Sequence, residues 1–230
     1  MYRTLSLVLS AFFLCMAAVT SGIADEQPKG ITVTATGEVK AKPDIAYVSL
    51  GVTTQSAEAA AAAEENANKT TAVIAALSEA GIKQPDIETT GYSVSPVMDY
   101  RKSPAVTVGY NVSNQVRITI RDLTRIGSLI DIGIKSGANN VQNVIFSIED
   151  DSTIQCKALA EAVSQARIKA KIMAEAAGVK LGKVIAISEA GGYIPRPMLA
   201  TAAKMESATT PIIPGELTAT ASVTIVYAIV

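Results

Sequence analysis

Any chemistry in this chain must come from carboxylates, amines, hydroxyls or a thiol, because its 230 residues include no histidine, no tryptophan and only two cysteines. Without imidazole there is no general base for a Ser-His-Asp or Cys-His nucleophilic site. Zinc sites built on His or on several Cys ligands are excluded for the same reason. The acid pairs are Glu64-Glu65 and Asp150-Asp151. Adjacent residues on a helix do not share a face, and Asp150-Asp151 stands where a helix should begin, which favours a capping and dipole role over acid–base work. Cys156 offers a redox thiol or an intermolecular disulfide, but reactivity needs a lowered pKa and exposure. Tyr100, Arg101 and Lys102 form an aromatic and basic tip that could touch lipid headgroups or a partner subunit; the plainer reading is a solvated hairpin. Gly191-Gly192 is too short for a phosphate loop, since no GxxxxGK[ST] pattern occurs. With 20 Lys+Arg against 21 Asp+Glu the formal charge is −1, which leaves no electrostatic footprint for nucleic acid. No catalytic residue, cofactor or metal ligand follows, and the expectation is a chain that is not an enzyme.

The elements that would position these groups are legible from periodicity. Ile31, Val33 and Ala35 alternate with Thr32, Thr34 and Thr36, and Ala46, Val48, Leu50 and Val52 share one side of a second strand. Between them Gly37 and Lys42-Pro43-Asp44 punctuate. An alanine-rich helix should run from about Ser56 to Ala80, with Ala63, Ala67, Val73, Ile74 and Leu77 on its apolar edge and Gly81 as its stop. Residues 86–121 read as two strands around the polar tip. A short helix near Leu123–Lys135 and a strand through Val144, Phe146 and Ile148 follow. The helix from about Ser152 to Ala177 carries Cys156, Leu159, Val163, Ala166, Ala170, Met173 and Ala177 at helical spacing, which predicts a buried structural Cys156. Ile154, Ile168 and Ile172 project from roughly the opposite side, either under a second layer of the same subunit or as a subunit contact. Lys157, Arg167, Lys169 and Lys171, interleaved with Glu161 and Glu175, have the pattern of a solvated face. Residues 183–190 form a strand and 191–216 a long loop rich in Gly, Pro, Ala, Ser and Thr, a length that is usually functional or mobile. A final strand has Leu217, Ala219, Ala221, Val223, Ile225, Tyr227 and Ile229 on one face. The order ββα–ββ–αβ–αββ is α+β with largely antiparallel pairing and two long helices beside one short one.

Compartment is read from the start of the chain. Met1-Tyr2-Arg3, the apolar run Leu5 to Val19 and the small residues Gly22 and Ala24 before Asp25 have the three-part layout of a secretory signal peptide, with cleavage expected after Ala24. The apolar run falls short of the roughly 20 residues that span a bilayer, and Leu14 stands before Cys15 where lipidation needs a small residue. Residues 25–230 are then expected to be one exported domain. Cys156 is their one cysteine, so no intramolecular disulfide can form. Stability must rest on the hydrophobic core, in a chain that is 49% hydrophobic and 18% charged.

The chain resembles the SIMPL-domain family. The likeness rests on ordered landmarks: Ile31-Thr32-Val33-Thr34-Ala35-Thr36-Gly37-Glu38, Lys42-Pro43-Asp44-Ile45-Ala46, Leu50-Gly51-Val52, Gly91-Tyr92-Ser93-Val94-Ser95-Pro96 and Pro214-Gly215-Glu216. No single landmark is specific, but their joint order is. The resemblance, nearest to the family's bacterial periplasmic members, implies an exported, immunogenic, oligomer-forming envelope protein, periplasmic or peripherally associated with the outer membrane. It implies no catalytic residues. The expected function is therefore self-assembly and action through surfaces, with Ile154, Ile168, Ile172, Tyr100, Arg101 and Lys102 as the assembly surface. The alternative is a periplasmic ligand-binding module whose pocket is covered by residues 191–216.

Overall fold

A computed structural model describes residues 30–190, 196–197 and 212–230; the expected signal peptide and most of the 191–216 loop lie outside them. The described chain runs β1 (Gly30–Ala41), β2 (Ile45–Ser56), α1 (Ala59–Glu79), β3 (Ile87–Asp99), β4 (Val106–Ile120), α2 (Ile126–Lys135), β5 (Asn140–Ser147), α3 (Ser152–Ala176), β6 (Leu181–Glu189), β7 (Arg196–Pro197) and β8 (Leu217–Ile229). Apart from the two-residue β7 this is the order expected from periodicity, and the class is α+β. Gly81 and Gly178 end α1 and α3 at φ of 95° and 70°, a conformation in which a Cβ would be strained. The Ile82 and Val179 amides then bond back to the Leu77 and Ala174 carbonyls, closing both helix ends.

The strands form two antiparallel sheets. One has the order β1-β8-β6, with β7 also on β8; the other has the order β3-β4-β2-β5. After β1 the chain leaves the first sheet, builds the second within residues 45–147, and returns through α3 to complete the first. Pro43 and Asp44 make the outward crossing. The Asp44 amide donates to the Ser147 carbonyl at 3.1 Å, and Asp44 Oδ1 accepts from the Glu149 amide at 2.8 Å. One residue thus ties the outward and return crossings side by side.

Each sheet has its own apolar core. In the second, Ala46, Val48, Leu50 and Val52 of β2 and Val116, Ile118 and Ile120 of β4 meet Val73 and Leu77 of α1 and Ile126, Leu129 and Ile130 of α2. The buried row of α1 differs from the expected edge: it is Ala62, Asn66, Thr70, Val73 and Leu77, so two polar residues stand where Ala63 and Ala67 were expected. Asn66 is fully buried because its amide bonds the Val52 carbonyl of β2 at 2.8 Å and the Val112 carbonyl of β4 at 3.1 Å.

The first sheet is covered by α3, and here the expected apolar stripe is corrected. The buried residues are Ala158, Ala162, Ala166, Ala170 and Ala174, while Cys156, Val163 and Met173 face solvent. A row at spacing four is one of the natural ridges of a helix and runs obliquely to its axis, so a stripe drawn straight along the helix drifts off the contact. Size decides the rest. A Cβ on Gly37 of β1 would lie 2.2 Å from the Ala158 carbonyl oxygen and 2.4 Å from the Ala162 nitrogen. At that approach there is room for methyl groups but not for larger side chains.

Candidate functional site

A cleft of about 180 Å³ lies where the turn after α1 meets the end of β4, bordered by Lys83, Asp86, Arg121, Asp122 and Arg125 with Leu129 beneath. Two of its charges, Arg121 and Asp86, are spent on each other. Arg121 Nη1 donates to Asp86 Oδ2 at 2.8 Å, and its Nε donates to both carboxylate oxygens of Glu149 at 3.1 Å. Arg125 Nη2 donates to the Ala80 carbonyl at 2.6 Å. The Arg121 guanidinium holds the Glu149 carboxyl below its ordinary value, and Glu149 with Asp86 pushes Arg121 higher still. This network braces the return crossing, through Glu149, against β4 and the turn, so Arg121 and Asp86 have a structural role in the cleft.

The acid pairs do local work. Glu65 pairs with Lys69 one turn on, at 2.7 Å. Asp150 accepts from the side chain and the amide of Ser152, which keeps its carboxyl low, and Asp151 accepts from Gln155 Nε2 at 3.0 Å. The N-cap residue of α3 is Asp151, whose side chain makes no cap bond, so the capping expected of this pair reduces to the Ser152 amide that Asp150 accepts. Among the described residues no three His, Cys, Asp or Glu side chains group as a metal site. Nor is any helix among them long and apolar enough to cross a membrane.

Cys156 sits on an open patch of α3 beside Ser152, Thr153, Lys157 and Ala160. The six residues expected to form an assembly surface fall in three places. Ile154 is partly buried against Ala158, Ala219 and Ala221, because it continues the four-spaced ridge. Ile168 and Ile172 are 50% and 59% exposed; Ile172, Lys169 and Met173 border a groove against Thr32, Val33 and Thr34 of β1, with Lys169 Nζ on the Thr34 carbonyl at 3.2 Å. Tyr100, Arg101 and Lys102 cap the β3–β4 hairpin of the other sheet. β2 pairs only with residues 110–120 of β4, so the hairpin's outer part, including Val106 and Thr107, is paired with β3 alone. Tyr100 is 82% exposed, while Arg101 bonds back to Asp99 through Nε at 2.9 Å and its amide at 3.1 Å, lowering the Asp99 pKa.

Periodicity found the outer strands but not their place at the sheet margins. β3 exposes Tyr92 and Val94, β5 exposes Val141 and Ile145, and β6 exposes Val184, Ile185 and Ile187. Alternation tells which residues share a face, but not which strands lie at a sheet's margin, where part of the apolar face has no cover. The landmarks of the family likeness are architectural. Gly37 admits α3, Asp44 ties the crossings, Gly51 offers its carbonyl to the Asn139 amide at 2.9 Å, Gly91 follows a register shift in β3, and Glu216 faces Lys40 at 3.9 Å as the chain enters β8.

Residues 31–227 match the family described as SIMPL: Protein of unknown function (DUF541). The chain is 35% identical over 169 residues to the 26 kDa periplasmic immunogenic protein of Brucella melitensis biotype 1, an alignment covering 71% of this chain and 67% of that one. It is 28% identical over 179 residues to the uncharacterized protein YggE of Escherichia coli K12, covering 76% and 73%. A YggE of Edwardsiella ictaluri is 27% identical over 184 residues, covering 79% and 77%. This chain belongs to the SIMPL family.

Proposed function

We propose that this SIMPL-family chain is an exported periplasmic protein that performs no catalysis and acts through its surfaces as a homo-oligomer. Its compartment follows from the signal-peptide layout of residues 1–24 and from the likeness to a relative named as periplasmic and immunogenic. One observation carries the assembly: large apolar side chains stand exposed on three marginal strands and on α3, among them Tyr92, Ile145, Ile168, Ile172 and Ile187. Scattered exposed apolar residues are ordinary on a monomer, but their concentration along open strand margins is what a partner covers. Tyr100, Arg101 and Lys102 extend that surface at the hairpin tip, where they would also lie against an outer-membrane headgroup layer in a peripheral association. The test is the mass of residues 25–230 in solution by gel filtration with light scattering at micromolar concentration, with and without reductant. A particle larger than one protomer and insensitive to reductant is expected. A monomer under all conditions would refute self-assembly, and a dimer lost on reduction would shift the contact to Cys156.

A further inference from the structure

We propose that β6 pairs with the β6 of a second copy, antiparallel, across a two-fold axis at Ala186. The inference rests on the self-assembly reading and adds where and in what register the copies meet. Among the described residues β6 is bonded to β8 on one side only, and α3 packs over β1 and β8; β6 is exposed along Lys183–Glu189. Val184, Ile185 and Ile187 follow one another there, with Ile187 57% exposed. The Ala190 amide donates to the Ser222 carbonyl at 2.9 Å, so residues 186, 188 and 190 turn their peptide groups toward β8. By strand alternation 187 and 189 turn theirs outward, free to meet another strand.

Charge selects the occupant and the register. Lys183 and Glu189 lie three residues on either side of Ala186, and among the described residues neither forms an ion pair. An antiparallel two-fold at Ala186 sets Lys183 opposite Glu189 of the partner subunit, and sets Glu189 opposite the partner subunit's Lys183. Ile185 then opposes Ile187 of the partner subunit. Such opposed pairs are the unit of sheet stabilisation, and a self-complementary patch is what a closed dimer interface requires. β6 departs from regular register against β8 between Leu181 and Ala186, so each copy's irregular half faces the partner's regular half. The other margins lack this match. β1 has its Thr34 carbonyl occupied by Lys169, β3 carries Pro96, which cannot donate, and β5 has no charged residue to choose a register.

The experiment measures association of residues 25–230 by sedimentation over a concentration series for wild type, Lys183→Glu, Glu189→Lys and the double exchange. Each single change sets like charges together twice in the dimer and should weaken association by about tenfold, and the double exchange should recover it. In a Cys156→Ser background, Ala186→Cys should cross-link to its own copy under oxidant, since directly opposed Cβ atoms lie within disulfide reach. Ser188→Cys, which would oppose Val184 of the partner subunit, should not. Unchanged association in all three charge variants without an Ala186→Cys cross-link would overturn the β6 pairing while leaving self-assembly standing. A wild type monomeric at every concentration would overturn both.

Discussion

Replacing Asn66 by Asp tests whether one buried amide holds the second sheet to its helix. Asn66 Nδ2 bridges the carbonyls of Val52 and Val112, on neighbouring strands, and Asn66 Oδ1 accepts from Thr70 Oγ1 at 3.4 Å. Asp has the same shape but, when ionised, no donor. Two buried carbonyls then face an oxygen, and at about 1–3 kcal/mol for each unsatisfied group the loss is about 2–6 kcal/mol. Burial raises the new carboxyl's pKa, so protonation restores one donor and the deficit should shrink as pH falls. The assay is urea unfolding of residues 25–230 followed by circular dichroism at one protein concentration. With a slope of about 2 kcal/mol per molar, the midpoint should drop by about 1–3 M at neutral pH. Asn68→Ala, on the exposed side of the same helix, should stay within about 0.5 kcal/mol of wild type. If Asn66→Asp unfolded within 1 kcal/mol of wild type at neutral pH, on the scale of ordinary surface changes, the amide would not be what pins the helix to β2 and β4.

Gly37→Ala should destabilise by about 1–3 kcal/mol, read as a lower Tm, because its methyl would meet the α3 backbone; backbone entropy alone would favour Ala in a strand, so a stabilised variant would refute the close approach. Native protein should react with a thiol reagent at Cys156 without denaturant, and reaction seen only on unfolding would return that residue to the core. Glu149 has a depressed pKa in the fold, so its contribution is present above its ordinary carboxylate pKa and is lost as pH falls through the folded value. Arg121→Met should therefore lower the urea midpoint at pH 7 and converge with wild type in acid, and a constant deficit at all pH values would mean that the ion pairs are not its cause.

What was legible in the residues was set by strong local periods. β8 alternates buried and half-buried positions through most of its length, as its Thr and Val pattern predicts, and Gly81 ends its helix as expected. Two things depended on partners far away in the chain. Alanine is neutral in an apolar stripe, so the row from Ala158 to Ala174 could be told from its bulkier neighbours only by knowing that Gly37 lies beneath it. Asn66 reads as a polar helix residue until two strand carbonyls are placed beside it. The split into two sheets was hidden for a similar reason: Lys42-Pro43-Asp44 has the composition of any turn, and nothing local says that it leads into a different layer. The assembly residues were grouped by helical angle, which put Ile154 with Ile172, whereas the oblique seating of the helix separates them.

The pairing of β1 with β8 has a consequence for how the protein is made. Gly30 meets Ala228 and Ala41 meets Leu217, so the first described strand finds its neighbour only in the last. A chain synthesised from its N-terminus must keep the β1 strand waiting, its Thr and Val ladder unsatisfied, until β8 has been made. Residues 45–147 contain all of their own strand partners and can condense in the meantime, whereas the outer layer pays the long loop closure that makes distant strand pairing slow. Loss of β8 would therefore remove more than one strand. It would strand β1 and the alanine face of α3 together, beside an intact unit of residues 45–147.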